Sequence, residues 1–195
     1  MAKREFSGEP STIWKTEPGP DRKMALLEDF WFRDSGGRQW PAIKNSIVDG
    51  ASIPQPLWTL VGSPYTGDYR RASIVHDIAC DEAGHDHAAR KAADRMFFEA
   101  CRAGGCSKRE AIILYVGVRI GAWWSSRPEL EVEGVRLHVD PVHEQVRQDF
   151  QTVGEDVLRQ GETDDPEVVE QRTEEAFQRL AARKAALLAL PSSAL

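Results

Sequence analysis

Residues 68–103 hold two helix-length segments separated only by the polar break Ala83-Gly84-His85-Asp86-His87, and this arrangement constrains the fold more than any other feature of the chain. In the first segment Ala72, Val75 and Ala79, joined by Ile74 and Ile78, recur at helical spacing; in the second Ala89, Ala93, Met96, Phe97 and Ala100 do the same. Gly84 suits the end of the first helix, where glycine adopts the left-handed backbone without steric cost. Two helices with so short a link run antiparallel and bury their apolar faces against each other. Ser107 and Glu110 form the capping box of a third helix, which continues through "AIILYVGVRIGAWW" (111–124) to about Ser125. Arg119 interrupts that apolar run. A membrane span needs roughly 18 or more apolar residues, so the segment reads as a buried helix.

Around this helical centre the chain is less regular. Residues 1–22 are polar and rich in Pro and Gly and read as an irregular arm. "MALLEDFWFRDSGGRQWPAI" (24–43) places aromatic and aliphatic residues on both sides of Asp34-Ser35-Gly36-Gly37, a β-hairpin signal. Residues 45–68 read as a long loop with one short helix near 55–61. The core domain is expected over 23–140. Beyond it, residues 141–195 carry 11 acidic and 6 basic side chains, so most of the formal net charge of −6 sits there. Asp165 is a good N-cap with Pro166 at the first helical position. Val169, Phe177, Leu180, Ala181, Leu187 and Leu188 make one stripe along 166–190, which suits self-association or a protein partner. The expected fold is therefore mainly α, with a small N-terminal β-hairpin, an antiparallel helix pair, a third helix and a protruding C-terminal helical extension.

The acidic balance, with a pI near 5.4, argues against nucleic acid as a partner, because phosphate binding wants a basic face. Cys80, Cys101 and Cys106 are too few, and odd in number, for a disulfide framework. They point to a reducing compartment. The first residues carry no apolar core of a secretory signal, so synthesis in the cytoplasm is expected.

Candidate chemistry centres on His76 and Asp77. Adjacent helical residues point about 100° apart, so each needs its own role. Asp94 follows His76 by eighteen residues, roughly two turns past the break where His76 lies roughly two turns before it. The two side chains can therefore meet across the helix pair. A carboxylate on one imidazole nitrogen fixes the tautomer and leaves the other nitrogen to take a proton from water, making His76 and Asp94 a base and its orienting partner. "VDGASIP" (48–54) is a turn whose carbonyls, together with Asp77, offer the oxygen ligands calcium prefers. Each residue also has a plainer reading. Asp77 can pair with Arg70, Arg71 or Arg95, Asp94 can pair with Arg90, and the loop can be an ordinary turn.

The order Asp-Gly-x-Ser loop, His-Asp on one helix and Asp-x-x-Phe on the next resembles the phospholipase A2 superfamily over residues 49–94. The wider pattern "DGASIP…LW…G…YRRA…VHD…AD…F…A" over 24–124 resembles an uncharacterised family of phage and bacterial proteins. The first resemblance implies a calcium-dependent lipid ester hydrolase with a phospholipase A2-like helix pair. His76 would activate water, Asp94 would orient it, and Asp77 would bind calcium with Asp49, Gly50 and Ser52 of the loop. Phospholipid or a membrane surface would be the partner, with Leu57, Trp58, Leu60 and Val61 as an apolar lip. Cys80 stands where that superfamily usually has a tyrosine. Such an enzyme would stay silent where it is made and act after delivery to a calcium-rich compartment.

Two other classes fit the same residues. In a non-catalytic phage virion or assembly protein, His76, Asp77 and Asp94 would form a buried network that fixes helix register. An HD-type metal phosphohydrolase would recruit further histidines from His85, His87, His138 and His143. The three cysteines do not read as a zinc site, lacking both a fourth ligand and a CxxC spacing.

Overall fold

A computed structural model gives the architecture; the structure describes residues 2–16, 23–49, 53–54, 57–61, 67–125 and 140–188. Six short strands come first: β1 (Glu5–Phe6), β2 (Thr12–Trp14), β3 (Met24–Leu26), β4 (Phe30–Arg33), β5 (Gln39–Ala42) and β6 (Ile47–Val48). A single helical turn, α1 (Trp58–Val61), precedes α2 (Arg70–Ala83), α3 (His87–Gly104), α4 (Lys108–Ser125), α5 (Asp140–Arg159) and α6 (Pro166–Leu188).

The strands form two antiparallel three-stranded sheets, ordered β1-β4-β5 and β2-β3-β6. The expectation of one N-terminal hairpin beside a phospholipase A2-like helix pair is thereby corrected. The β4–β5 hairpin does exist: Asp34 N–H donates to the Arg38 carbonyl, and the Asp34 carboxylate accepts from Arg38 N–H and from Trp40 Nε1 at 2.9 and 2.8 Å. Met24–Leu26, however, leaves this sheet and pairs with Thr12–Trp14 and Ile47–Val48 in the other. The arm expected to be irregular supplies a strand to each sheet. Strands of two to four residues give period-2 alternation too few positions to be seen, and their partners lie far away in sequence. In β4 and β5 the alternation is clear: Phe30, Phe32, Trp40 and Ala42 face the core, with Phe32 opposite Trp40. Pro41, which cannot donate to a ladder, sits on the edge strand of its sheet.

Helices α2, α3, α4 and α6 start close to the expected positions, the last three because their caps are local. Asp86 accepts from Ala88 and Ala89 N–H at the start of α3. Ser107 and Glu110 exchange backbone-to-side-chain bonds at 3.1 and 3.3 Å before α4. Asp165 accepts from Glu167 and Val168 N–H at the start of α6. α2 and α3 are antiparallel neighbours, with α2 under the sheets and α3 against α4. The C-terminal helices pack instead of protruding: α5 lies on α4 and α6, and α6 reaches α3. Val146, Phe150, Val153, Val157, Val169 and Phe177 join one core with Phe97, Phe98 and Tyr115. Each such side chain contributes about 1.5–3 kcal/mol when fully buried. Among the described residues, no helix is long and apolar enough to cross a membrane.

Candidate functional site

α2 is buried along most of its length, from Ala72 to Cys80, so its two polar residues His76 and Asp77 are enclosed on different sides. His76 is fully buried. Its Nε2 lies 2.8 Å from Oδ1 of Asp94, itself 3% exposed on α3. The Phe97 ring packs against the imidazole with centroids 4.7 Å apart. The other Asp94 oxygen, Oδ2, accepts from Arg119 Nη1 of α4 at 3.0 Å, and Arg119 Nη2 continues to Glu174 of α6 at 2.6 Å. Four helices are thus joined by alternating charges around one carboxylate. Asp94 does not take Arg90 as its partner; it takes Arg119.

These contacts set the protonation states. Burial disfavours a charged ring at His76, but the sulfur of Cys80 and the Asp94 carboxylate outweigh it and push its pKa up to about 10. Burial likewise works against the Asp94 carboxylate, yet the bonds from His76 and Arg119 hold its carboxyl below the usual range. Both shifts favour the charged forms of the pair, an imidazolium beside a carboxylate.

Asp77 faces the other way, toward the sheets. Its Oδ2 accepts from the backbone N–H of Asp49 at 2.8 Å. Asp49, Asp77 and Asp81 line a pocket of about 390 Å³ with Lys15, Lys23 and Ile47. Burial, with Asp49 and Asp81 adding to it, pushes the Asp77 carboxyl up to about 7. Asp77, Asp49 and Asp81 are the oxygen donors this pocket offers a hard cation, beside the cationic Lys15 and Lys23. Gly50 and Ser52 lie outside the described residues. In the lip, Leu57 is core, Val61 half-buried and Leu60 exposed.

Several of these residues went unseen in the sequence. Arg119 reads there as a break in an apolar run, although a cation in a buried helix demands an anionic partner. Cys80 sits one turn after His76 and brings its sulfur to 3.4 Å from Nε2. Asp81, Lys15 and Lys23 reach the pocket only because β2 and β3 pair beside α2. His85 and His87 are exposed at the start of α3 and His143 is exposed on α5, so none of the three joins His76; His138 lies outside the described residues.

Residues 24–118, the strands from β3 onward and helices α1–α4 up to Val118, carry His76, Asp77, Cys80 and Asp94, with Arg119 one residue beyond. They match the family described as protein of unknown function, DUF1353. The chain is 36% identical over 115 residues to uncharacterized protein y4jT of Sinorhizobium fredii, strain NBRC 101917 / NGR234, covering 57% of this chain and 32% of the relative. It is also 36% identical over 101 residues to uncharacterized protein y4iH of the same strain, covering 52% of this chain and 41% of that relative. The chain thus spans less than half the length of either relative. No solved structure matches the chain.

Proposed function

We propose that this chain is a cation-assisted hydrolase of lipid esters. The observation that carries the reading is the buried His76–Asp94 pair at 2.8 Å, with the next residue, Asp77, opening into a pocket of three carboxylates. Asp94 orients the ring through Nε2 and is itself fixed by Arg119, which leaves Nδ1 as the nitrogen to handle a proton of water. Calcium, when bound by Asp77, Asp49 and Asp81, supplies polarisation of the ester carbonyl and a positive charge that disfavours the neighbouring imidazolium. A lipid surface as substrate source is supported by the face beside the pocket. Ile13 and Ile47 share one row across β2, β3 and β6, both exposed, with Trp14 exposed next to them and Lys15 and Lys23 alongside. Apolar side chains ringed by lysines suit an anionic membrane surface.

The test is release of fatty acid from mixed phosphatidylcholine and phosphatidylglycerol vesicles at millimolar calcium. Release that needs calcium and falls about 10²–10⁴-fold in His76→Asn supports the reading. Absence of release across several head groups overturns it. A second, non-catalytic reading is favoured by the raised pKa of His76, which the sulfur of Cys80 and the Asp94 carboxylate cause, and by the continuation of the network to Glu174. On that reading the cluster fixes the register of four helices, and calcium changes nothing.

A further inference from the structure

We propose that His76, Cys80 and Asp94 bind one transition-metal ion of the zinc type between α2 and α3. This site is separate from the oxygen pocket at Asp77, and it stands whether or not the chain hydrolyses an ester.

The ligand set is one imidazole, one thiol and one carboxylate, the mixture that zinc and cobalt accept and calcium does not. His76 and Cys80 lie one turn apart on the same face of α2, so a single helix presents both. Asp94 comes from the facing helix. One donor atom from each lies within 4.8 Å of the other two, and all three residues are buried.

The distances approach those of a metal tetrahedron. With ordinary zinc bond lengths, the edge between a nitrogen and a sulfur ligand is about 3.6 Å, and between a nitrogen and an oxygen about 3.3 Å. Cys80 Sγ is 3.4 Å from His76 Nε2, and Asp94 Oδ1 is 2.8 Å from the same nitrogen. The nitrogen–sulfur edge is within about 0.2 Å of that value, and the nitrogen–oxygen edge must lengthen by about half an ångström as the metal replaces the hydrogen bond. Arg119 holds Oδ2, the oxygen not needed for the metal, and so acts as the outer partner that orients a ligating carboxylate. Phe97 closes one side of the ring with an apolar wall.

Binding would break the His76–Asp94 hydrogen bond. The imidazole gives its Nε2 proton and the thiol its own proton to solvent, and the metal takes the place of both. Thiolate and carboxylate then neutralise the dication. Three protein ligands leave the fourth corner to water, the pattern of zinc sites that remain open. Under the hydrolase reading, zinc here would take the ring out of service as a base, whereas calcium at Asp77 would not.

The experiment uses the full chain, reduced and stripped of metal, titrated with cobalt and then with zinc. The expected result is one cobalt per chain, a thiolate-to-cobalt charge-transfer absorption, and its disappearance as zinc displaces cobalt. Cys80→Ala should abolish the absorption and weaken zinc binding by more than the roughly 10–100-fold that an outer-partner substitution costs. Cys101→Ala and Cys106→Ala should keep it. No absorption in the unaltered protein, or an absorption that survives Cys80→Ala, overturns the proposal. Circular dichroism of each metal-free variant establishes that it is folded, and Cys80→Ser replaces Cys80→Ala if the alanine variant is not. Lipid hydrolysis is not part of the readout, so failure here leaves the hydrolase reading intact.

Discussion

Arg119 of α4 and Asp94 of α3 meet at 3.0 Å, with 15% and 5% of their side chains exposed. Removing one partner of such a buried pair leaves the other charge uncompensated, which typically costs about 3–5 kcal/mol. Arg119→Met keeps the volume and removes the cation. Urea denaturation should show a loss in that range, larger than the loss in Glu174→Gln, whose carboxylate is more exposed. A loss below about 1 kcal/mol would mean that His76 alone neutralises Asp94.

Calcium gives a second test through the carboxylate pocket. A ligand that binds only the folded state raises stability in proportion to the logarithm of its concentration over Kd. Millimolar calcium should therefore raise the Tm of the native protein. Asp77→Asn keeps a side-chain oxygen for the Asp49 N–H but removes the charge, so its Tm should not respond. An equal calcium shift in both proteins would place any calcium elsewhere.

Asp164 lies in the link between α5 and α6 and accepts from Arg102 Nε at 2.7 Å, with Arg4 Nη1 at 3.3 Å. The bond from Arg102 holds its carboxyl below the usual value despite partial burial. A depressed folded pKa contributes stability that is present above the ordinary carboxylate range and is lost as pH falls through the folded value. The Asp164 side chain is 45% exposed, so solvent screening limits the contribution to about 1 kcal/mol or less. The Tm gap between the native protein and Asp164→Asn should be largest at neutral pH and close as the solution is acidified. A gap independent of pH would assign the effect to lost geometry instead of charge.

Gly104, the last residue of α3, has its Cα against the backbone carbonyl of Asp68, where an added Cβ would collide with the oxygen. Backbone cannot swing aside as a side-chain tip can. Gly104→Ala should destabilise by about 1–3 kcal/mol, read by denaturant midpoint at unchanged slope. An unchanged midpoint would show that the α1–α2 link yields.

Truncation tests how the C-terminal helices are joined to the rest. Deleting residues 141–195 would expose the face of α4 that covers Val146, Phe150 and Val153, and would strip Glu174 from Arg119. The shortened chain should aggregate or lose its cooperative thermal transition. A monomeric, cooperatively folding 1–140 fragment on size exclusion and circular dichroism would instead show an independent core.

What could be read in advance depended on range. The caps at Asp86, Ser107 and Asp165 are made within three residues, so the helix starts were visible as text. The approach of His76 to Asp94 was also open to inference, because a short break between two regular helices leaves few ways to align them. The β2–β3–β6 sheet was not, since its strands are two or three residues long and Met24 finds Val48 across the whole β4–β5 hairpin. Arg119 was visible only as an interruption, because nothing local says that its partner is a carboxylate twenty-five residues earlier.

The Arg4–Asp164 contact spans 160 residues of sequence. During synthesis Arg4 must wait for those 160 residues before it finds that carboxylate. Helices α2 and α3 can pair long before then, since their contacts are local. Contacts of such long range are slow to close and leave intermediates with uncovered surface. The helical hairpin with its histidine can thus form early, and the Arg4 end of the sheet that abuts α3 gains its last anchor only once Asp164 has been made.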